Sequence, residues 1–165
     1  MAIKKEVIQL GDIILFKTDP HDNIFWRLLG RLIQFFTVII GQGGSYHRTY
    51  THVTICENQD FMFEMTFPKS KRSPIPYEKE IELWRVKDIT NEQIIKVIEW
   101  CKKNLGRWYN ITHLITLGIK PGYGCGDYCA DAFKSVGIIL SIEGAKDKMV
   151  SPNEVCDSRL VYKIL

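Results

Sequence analysis

Two short alternating runs joined by a turn limit the folds open to this chain more than any other stretch. Thr51 to Cys56 reads Thr-His-Val-Thr-Ile-Cys and Phe61 to Phe67 reads Phe-Met-Phe-Glu-Met-Thr-Phe, with Asn58-Gln59-Asp60 between them. In a strand, successive side chains point to opposite faces. His52, Thr54 and Cys56 therefore share one face of the first run, and Val53 and Ile55 share the other. In the second run Phe61, Phe63, Met65 and Phe67 oppose Met62, Glu64 and Thr66. Asn and Asp between two such runs mark a tight connection, so the pair is expected to be a β-hairpin. An isolated hairpin is only marginally stable in water, and the rest of the chain must extend and cover it.

The remaining pattern supplies that material. Ile13 to Phe16, after Gly11-Asp12 and before Asp19-Pro20, reads as a short buried strand. Ile81 to Val86 is a further candidate strand, and Leu160 to Leu165 a last one. Pro68 to Pro76 reads as a basic, proline-rich loop. Thr90 is a helix N-cap with Gln93 three residues on, and Ile94, Val97, Ile98, Cys101 and Leu105 then recur at helical spacing up to Gly106. Cys101 falls on that apolar stripe and is expected to be core. Tyr128, Cys129, Ala132, Phe133 and Val136 repeat in the same way before Gly137, so Cys125 stands at a helix start. Ser151-Pro152-Asn153-Glu154 is a cap and turn. The expectation is an α+β domain spanning 1–165, which at 165 residues and 45% apolar composition can bury a substantial core.

One segment stands apart. Ile24 to Ile40 is apolar except for a strip of Arg27, Arg31 and Gln34, and it reads as an extra helical segment at 24–40. Two arginines in seventeen residues make it a poor membrane span, for which about 20 mainly apolar residues are needed. It suits a core or substrate-groove helix, with contact to a lipid surface as the alternative.

Composition removes several function classes. Against 19 acidic residues stand 22 basic ones, a net of +3, with no concentrated basic face, so nucleic acid is not an expected partner. Neither Gly41 to Gly44 nor the Gly122 to Gly126 stretch carries the Lys-Ser/Thr ending of a phosphate loop. Five cysteines in a chain of this size do not make a disulfide framework. No cofactor and no metal is expected. A metal site would have to combine His47, His52 and Cys56 with a distant cysteine, without any paired Cys-x2-Cys. Nothing at the start reads as a signal peptide, and a cytoplasmic location follows as the expectation.

Chemistry concentrates on three residues. A thiol at a helix N-terminus meets unpaired amides and the positive end of the dipole, which favour the thiolate, and Cys125 has that placement. A nucleophilic thiol needs an imidazole base, itself oriented by a third polar group. His52 and Glu64, twelve residues apart on one face of the hairpin, have that pattern. A carboxylate among Phe61, Met62, Phe63 and Met65 must be solvated or paired, and His52 would pair it. The spacing permits a triad without requiring one. Cys125 as packing and His52 as a satisfied core histidine stay open on these residues alone.

Gly11-Asp12-Ile13-Ile14-Leu15-Phe16, Tyr50 to Ile55, Phe63-Glu64 and Cys125 followed twelve residues later by Gly137-Ile138 resemble the circularly permuted branch of the papain-like, NlpC-type cysteine hydrolases, the YiiX-like amidases. The order is part of the likeness: the Gly-Asp strand and His-Glu hairpin precede the cysteine helix. Ser151 to Glu154 and Leu160 to Tyr162 resemble the C-terminal end of that branch, and the likeness spans most of the chain except 24–44. It implies a small antiparallel sheet packed against the helix that bears the nucleophile. By the same likeness Cys125 is the nucleophile, His52 the general base and Glu64 its orienting group, while Gly11 and Asp12 shape the first strand. The family cysteine is usually followed by Ser, an acidic residue and two aliphatics. Here Gly126, Asp127, Tyr128 and Cys129 follow, and Cys129 is the rival nucleophile.

The expected activity is thiol-dependent hydrolysis of an amide, ester or thioester through an acyl-cysteine. The substrate would be a small peptide, a glycopeptide or peptidoglycan-like fragment, or an N-acyl compound. The Cys125 backbone N–H would hold the oxyanion, with Tyr50 or Tyr46 as candidates for a second donor. Two alternatives remain: a lipid-directed acyltransferase or hydrolase of the same mechanism, and a binding module that retains the fold without catalysis.

Overall fold

The computed structural model describes residues 4–17, 50–110, 112, 123–140 and 150–165. The hairpin is built from β2 (Tyr50–Cys56) and β3 (Phe61–Met65). They run antiparallel with Thr54 opposite Glu64, Ile55 opposite Phe63 and Cys56 opposite Met62. The connection closes because the Asn58 side-chain oxygen accepts the N–H groups of Asp60 at 2.8 Å and Phe61 at 2.9 Å, an Asx turn.

Strand β1 (Ile13–Lys17) joins the free side of β2, β5 (Ile81–Val86) joins β1, and β6 (Val161–Lys163) joins β5. At the other edge β3 pairs with β4 (Ser70–Pro74). The result is a six-stranded antiparallel sheet in the order β4-β3-β2-β1-β5-β6. Strand β4 corrects the reading of Pro68 to Pro76 as a loop. Its Lys71 and Arg72 are exposed and Pro74 ends it, features that only an edge strand accommodates and that hide its periodicity.

Helix α1 (Asn91–Lys103) begins with the expected capping box between Thr90 and Gln93. Helix α2 (Cys125–Lys134) starts at the cysteine itself. The Ser151 cap leads into a helix, α3 (Pro152–Asp157), longer than the turn its sequence suggests, with Ser151 and Glu154 closing a second capping box. Pro152 at the first turn costs no hydrogen bond there.

Both sheet faces are covered. On one, Ile13, Leu15, Val53, Ile55 and Phe63 pack with Val97 and Cys101 of α1, Cys129 and Phe133 of α2 and Val155 of α3. On the other, Ile14, Phe16, Met62 and Leu83 pack with Ile8 and Ile75. Cys101 is fully buried, in line with its place on the helical stripe. Among the described residues no helix is long and apolar enough to cross a membrane. The 24–40 segment, Tyr46 and His47 lie outside the described residues.

Candidate active site

His52 and Glu64 come together because β2 and β3 are neighbours. Glu64 faces Thr54 across the ladder, so His52, two residues along on the same strand face, lies on the diagonal. Its Nε2 is 2.9 Å from Glu64 Oε2. The second Glu64 oxygen accepts the Ser73 hydroxyl at 2.6 Å and lies 3.4 Å from Lys71 Nζ, both from β4. The Phe16 ring flanks the imidazole with centroids 5.5 Å apart.

The Cys125 side chain lies close enough to the His52 ring to act on its protonation. Since Nε2 is taken by Glu64, Nδ1 is the nitrogen left for the thiol. Burial works against the imidazolium, but the neighbouring Cys125 side chain and then Glu64 outweigh it and raise the His52 pKa to about 10. Burial likewise works against the Glu64 carboxylate, yet the His52 bond and charge, with Ser73 and Lys71, hold it down at about 2. The charged forms of His52 and Glu64 support each other.

Cys125 is the first residue of α2, with one of the helix's unpaired N–H groups beside its thiol. That helix start is tightly pinned. Asp127 accepts the Gly124 N–H at 2.8 Å through one oxygen and the Val150 N–H at 2.7 Å through the other. Burial, ahead of those two bonds and helped by the charges of Asp131 and Glu154, raises its carboxyl to about 6. Gly126 lies so close to the backbone of Val150 and Ser151 ahead of α3 that a Cβ on it would fall 1.9 Å from the Val150 carbonyl oxygen. No side chain has room at this position without a shift of that backbone.

The rival thiol lies deeper. Cys129 is one turn along α2 inside the core, where burial, then the charges of Cys101 and Cys125, push its pKa well up. Cys56 is also pushed well up by burial, then by Asp12. Tyr50 points elsewhere than strict alternation suggests. The β1–β2 register slips between Phe16 and Lys17, so Tyr50 sits opposite Lys17 and packs with Val53 and Ile55. Its hydroxyl donates to the Glu82 carboxylate, which also binds Lys17 at 3.1 Å and Lys163 at 3.0 Å. A phenol has one proton to donate, and that of Tyr50 is given to Glu82.

One neighbour of the thiol is absent from the sequence reading. The hydroxyl of Tyr109 would meet a Cβ on Gly124 at 3.3 Å, and its ring packs against the core that contains Cys125. No periodic run includes Tyr109; the signal available was only an aromatic hydroxyl in the Trp108-Tyr109-Asn110 stretch before the cysteine helix.

Among the described residues no group of three or more His, Cys, Asp or Glu is arranged to hold a metal ion. No family model matches the chain, and no curated protein matches it. Among solved structures the chain is similar to the metalloprotein YiiX of Escherichia coli O157:H7. The two share 18% identity and a TM-score of 0.65, covering 95% of this chain and 96% of that one. At that identity the likeness is one of fold: an α+β arrangement of the YiiX kind.

Proposed function

We propose that the protein is a thiol-dependent hydrolase of the permuted papain-like, NlpC-type kind, acting on an amide, ester or thioester through an acyl-cysteine at Cys125. The observation that carries the reading is the placement of the His52 ring between the Glu64 carboxylate, at 2.9 Å, and the Cys125 side chain at the start of α2. Nucleophile, base and orienting group stand in the sequence that thiol catalysis needs.

In the reaction, His52 takes the thiol proton and Glu64 holds the resulting imidazolium. The Cys125 sulfur attacks the carbonyl carbon, and the carbonyl electron pair moves to oxygen beside the Cys125 N–H. As that pair returns, the bond to the leaving group breaks and His52 gives it the proton. Water then attacks the acyl-cysteine, His52 takes its proton, and the acid departs with the thiol restored. The proposed substrates are small peptides, peptidoglycan-like fragments and N-acyl compounds.

The test is alkylation by iodoacetamide across pH, with the modified cysteine identified by mass. Cys125 retains 8% exposure and the other four cysteines 4% or less, so accessibility alone favours Cys125. Activation is separated from accessibility by His52→Ala. Labelling of Cys125 below about pH 7.5, under the ordinary thiol range, is expected in the wild type and lost in the variant. Equal slow labelling of every cysteine, or selectivity that survives His52→Ala, overturns the proposal.

A further inference from the structure

We propose that the Tyr109 hydroxyl is the second oxyanion donor, facing the reacting carbonyl oxygen together with the Cys125 backbone N–H. The inference rests on the reading of Cys125 as nucleophile.

Three observations carry it. First, Tyr109 is held by its backbone between the sheet edge and the nucleophile. Its N–H donates to Pro68 O at 2.9 Å, and Trp108 before it bridges Lys69. Asn110 after it exchanges two backbone bonds, of 2.9 and 3.0 Å, with Tyr123, just ahead of the Gly124 cap. The strip ties the β4 end of the sheet to the start of α2. A phenol on such a strip is placed by backbone geometry on both sides, as a preorganised donor requires.

Second, the cap residue makes room for this hydroxyl. Gly124 has φ −126° and ψ −165°, an extended conformation open to any residue, so the backbone does not require glycine there. What a side chain would meet is Tyr109: its oxygen at 3.3 Å and its Cζ at 3.7 Å from a Cβ. The absent side chain lets the phenol oxygen reach the residue directly before Cys125, next to the N–H that the mechanism already uses.

Third, the hydroxyl is available as a donor. Among the described residues it makes no hydrogen bond, in contrast to Tyr50, Tyr123 and Tyr128, whose hydroxyls are engaged by Glu82, Asp131 and the Cys101 carbonyl. Burial, then the charges of Cys125 and Asp127, keep it protonated far above neutral pH.

The step balances without any proton leaving Tyr109. The sulfur–carbon bond forms, the C=O pair moves to oxygen, and that oxygen accepts hydrogen bonds from the Cys125 N–H and the Tyr109 O–H. On collapse the pair returns, the leaving-group bond breaks and the proton comes from His52.

Two electrophiles separate this role from packing. p-Nitrophenyl acetate acylates a thiolate through an oxyanion, whereas iodoacetamide alkylates it by displacement at carbon without one. Rates at Cys125 are read by intact mass, with far-UV circular dichroism as the check on folding. Tyr109→Phe is expected to slow acylation by about 100-fold, the usual scale for losing one such donor, and to leave alkylation within about twofold. Gly124→Ala, whose methyl crowds the hydroxyl without removing it, is expected to give a smaller loss in acylation alone. Equal acylation rates in wild type and Tyr109→Phe, or a parallel fall in both reactions, overturn the proposal. If iodoacetamide shows no His52-dependent preference for Cys125 in the wild type, the nucleophile assignment fails instead, and the oxyanion role falls with it.

Discussion

His52 Nε2 and Glu64 Oε2 stand 2.9 Å apart across two strands that the Asn58 turn obliges to pair. The contact engages Nε2 and leaves Nδ1 as the other ring nitrogen. It also explains how a carboxylate is kept within the apolar alternation of β3: both oxygens are engaged, one by His52 and the other by Ser73 and Lys71.

That row makes stability depend on pH in a stated direction. The folded-state pKa of His52 is raised from 6.5 to about 10, so its contribution is complete below about 6.5 and fades as pH rises through 10. The pKa of Glu64 is lowered from 4.5 to about 2, so its contribution is complete above about 4.5 and fades as pH falls through 2. Glu64→Gln is expected to remove the acid limb that Glu64 supplies and to shallow the alkaline one. Urea unfolding from pH 3 to 9 measures both; an acid limb identical to wild type contradicts the pairing.

A second ion pair anchors the sheet. Asp12 is 1% exposed and binds Arg85 Nε at 2.7 Å and Nη2 at 2.9 Å, and it also accepts the Gln9 N–H at 2.8 Å. Arg85 keeps 24% of its side chain exposed. The two halves of the pair should therefore differ when removed. Arg85→Met strands a buried carboxylate and is expected to cost about 3–5 kcal/mol. Asp12→Asn retains an acceptor for Gln9 and leaves Arg85 a path to water, so the loss should be clearly smaller. Equal losses in urea unfolding would refute the asymmetry.

Gly126 is expected to resist every substitution. An Ala Cβ would stand 1.9 Å from the Val150 carbonyl oxygen, a backbone atom that cannot turn aside. Overpacking of this kind costs about 1–3 kcal/mol, and relief requires the start of α2 to move. Gly126→Ala should thus lower the thermal midpoint and also slow iodoacetamide labelling of Cys125. A variant with wild-type midpoint and labelling rate would show that the close approach is not maintained in solution.

Much of this architecture can be read from the sequence where burial imposes a period. The hairpin alternates, β1 and β5 are short runs buried on both faces, α1 carries one apolar stripe, and the Thr90 capping box marks the start of α1 within a residue. Period two puts His52 and Glu64 on one face of the hairpin, and the β2–β3 register then pairs them. Strand β4 escaped because an edge strand of Lys, Arg, Ser and Pro has no apolar face to display. The direction of Tyr50 escaped because it depends on a slipped register with β1 and on Glu82 from β5, a lateral neighbour far away in sequence. Tyr109 escaped for a similar reason: isolated backbone bridges position it, and no repeat announces them.

The buried Asp127 supplies the last prediction, because its pH window can be isolated. Its carboxyl is raised from 3.8 to about 6 by burial, against the two N–H bonds it accepts from Gly124 and Val150. A raised folded-state pKa means that the folded protein holds this proton more tightly than the unfolded chain. The contribution is then complete below about 3.8 and lost as pH rises through 6. Glu64 has reached its full contribution by about 4.5 and His52 begins to lose its own only above about 6.5. Between pH 4.5 and 6, the difference between wild type and Asp127→Asn therefore belongs to Asp127. That difference in unfolding free energy should fall steadily across the interval. The variant should also start below wild type, because an amide turns one of the two acceptors into a donor facing a backbone N–H. A flat difference across the interval would mean that Asp127 is ionised throughout, and that its two backbone bonds outweigh its burial.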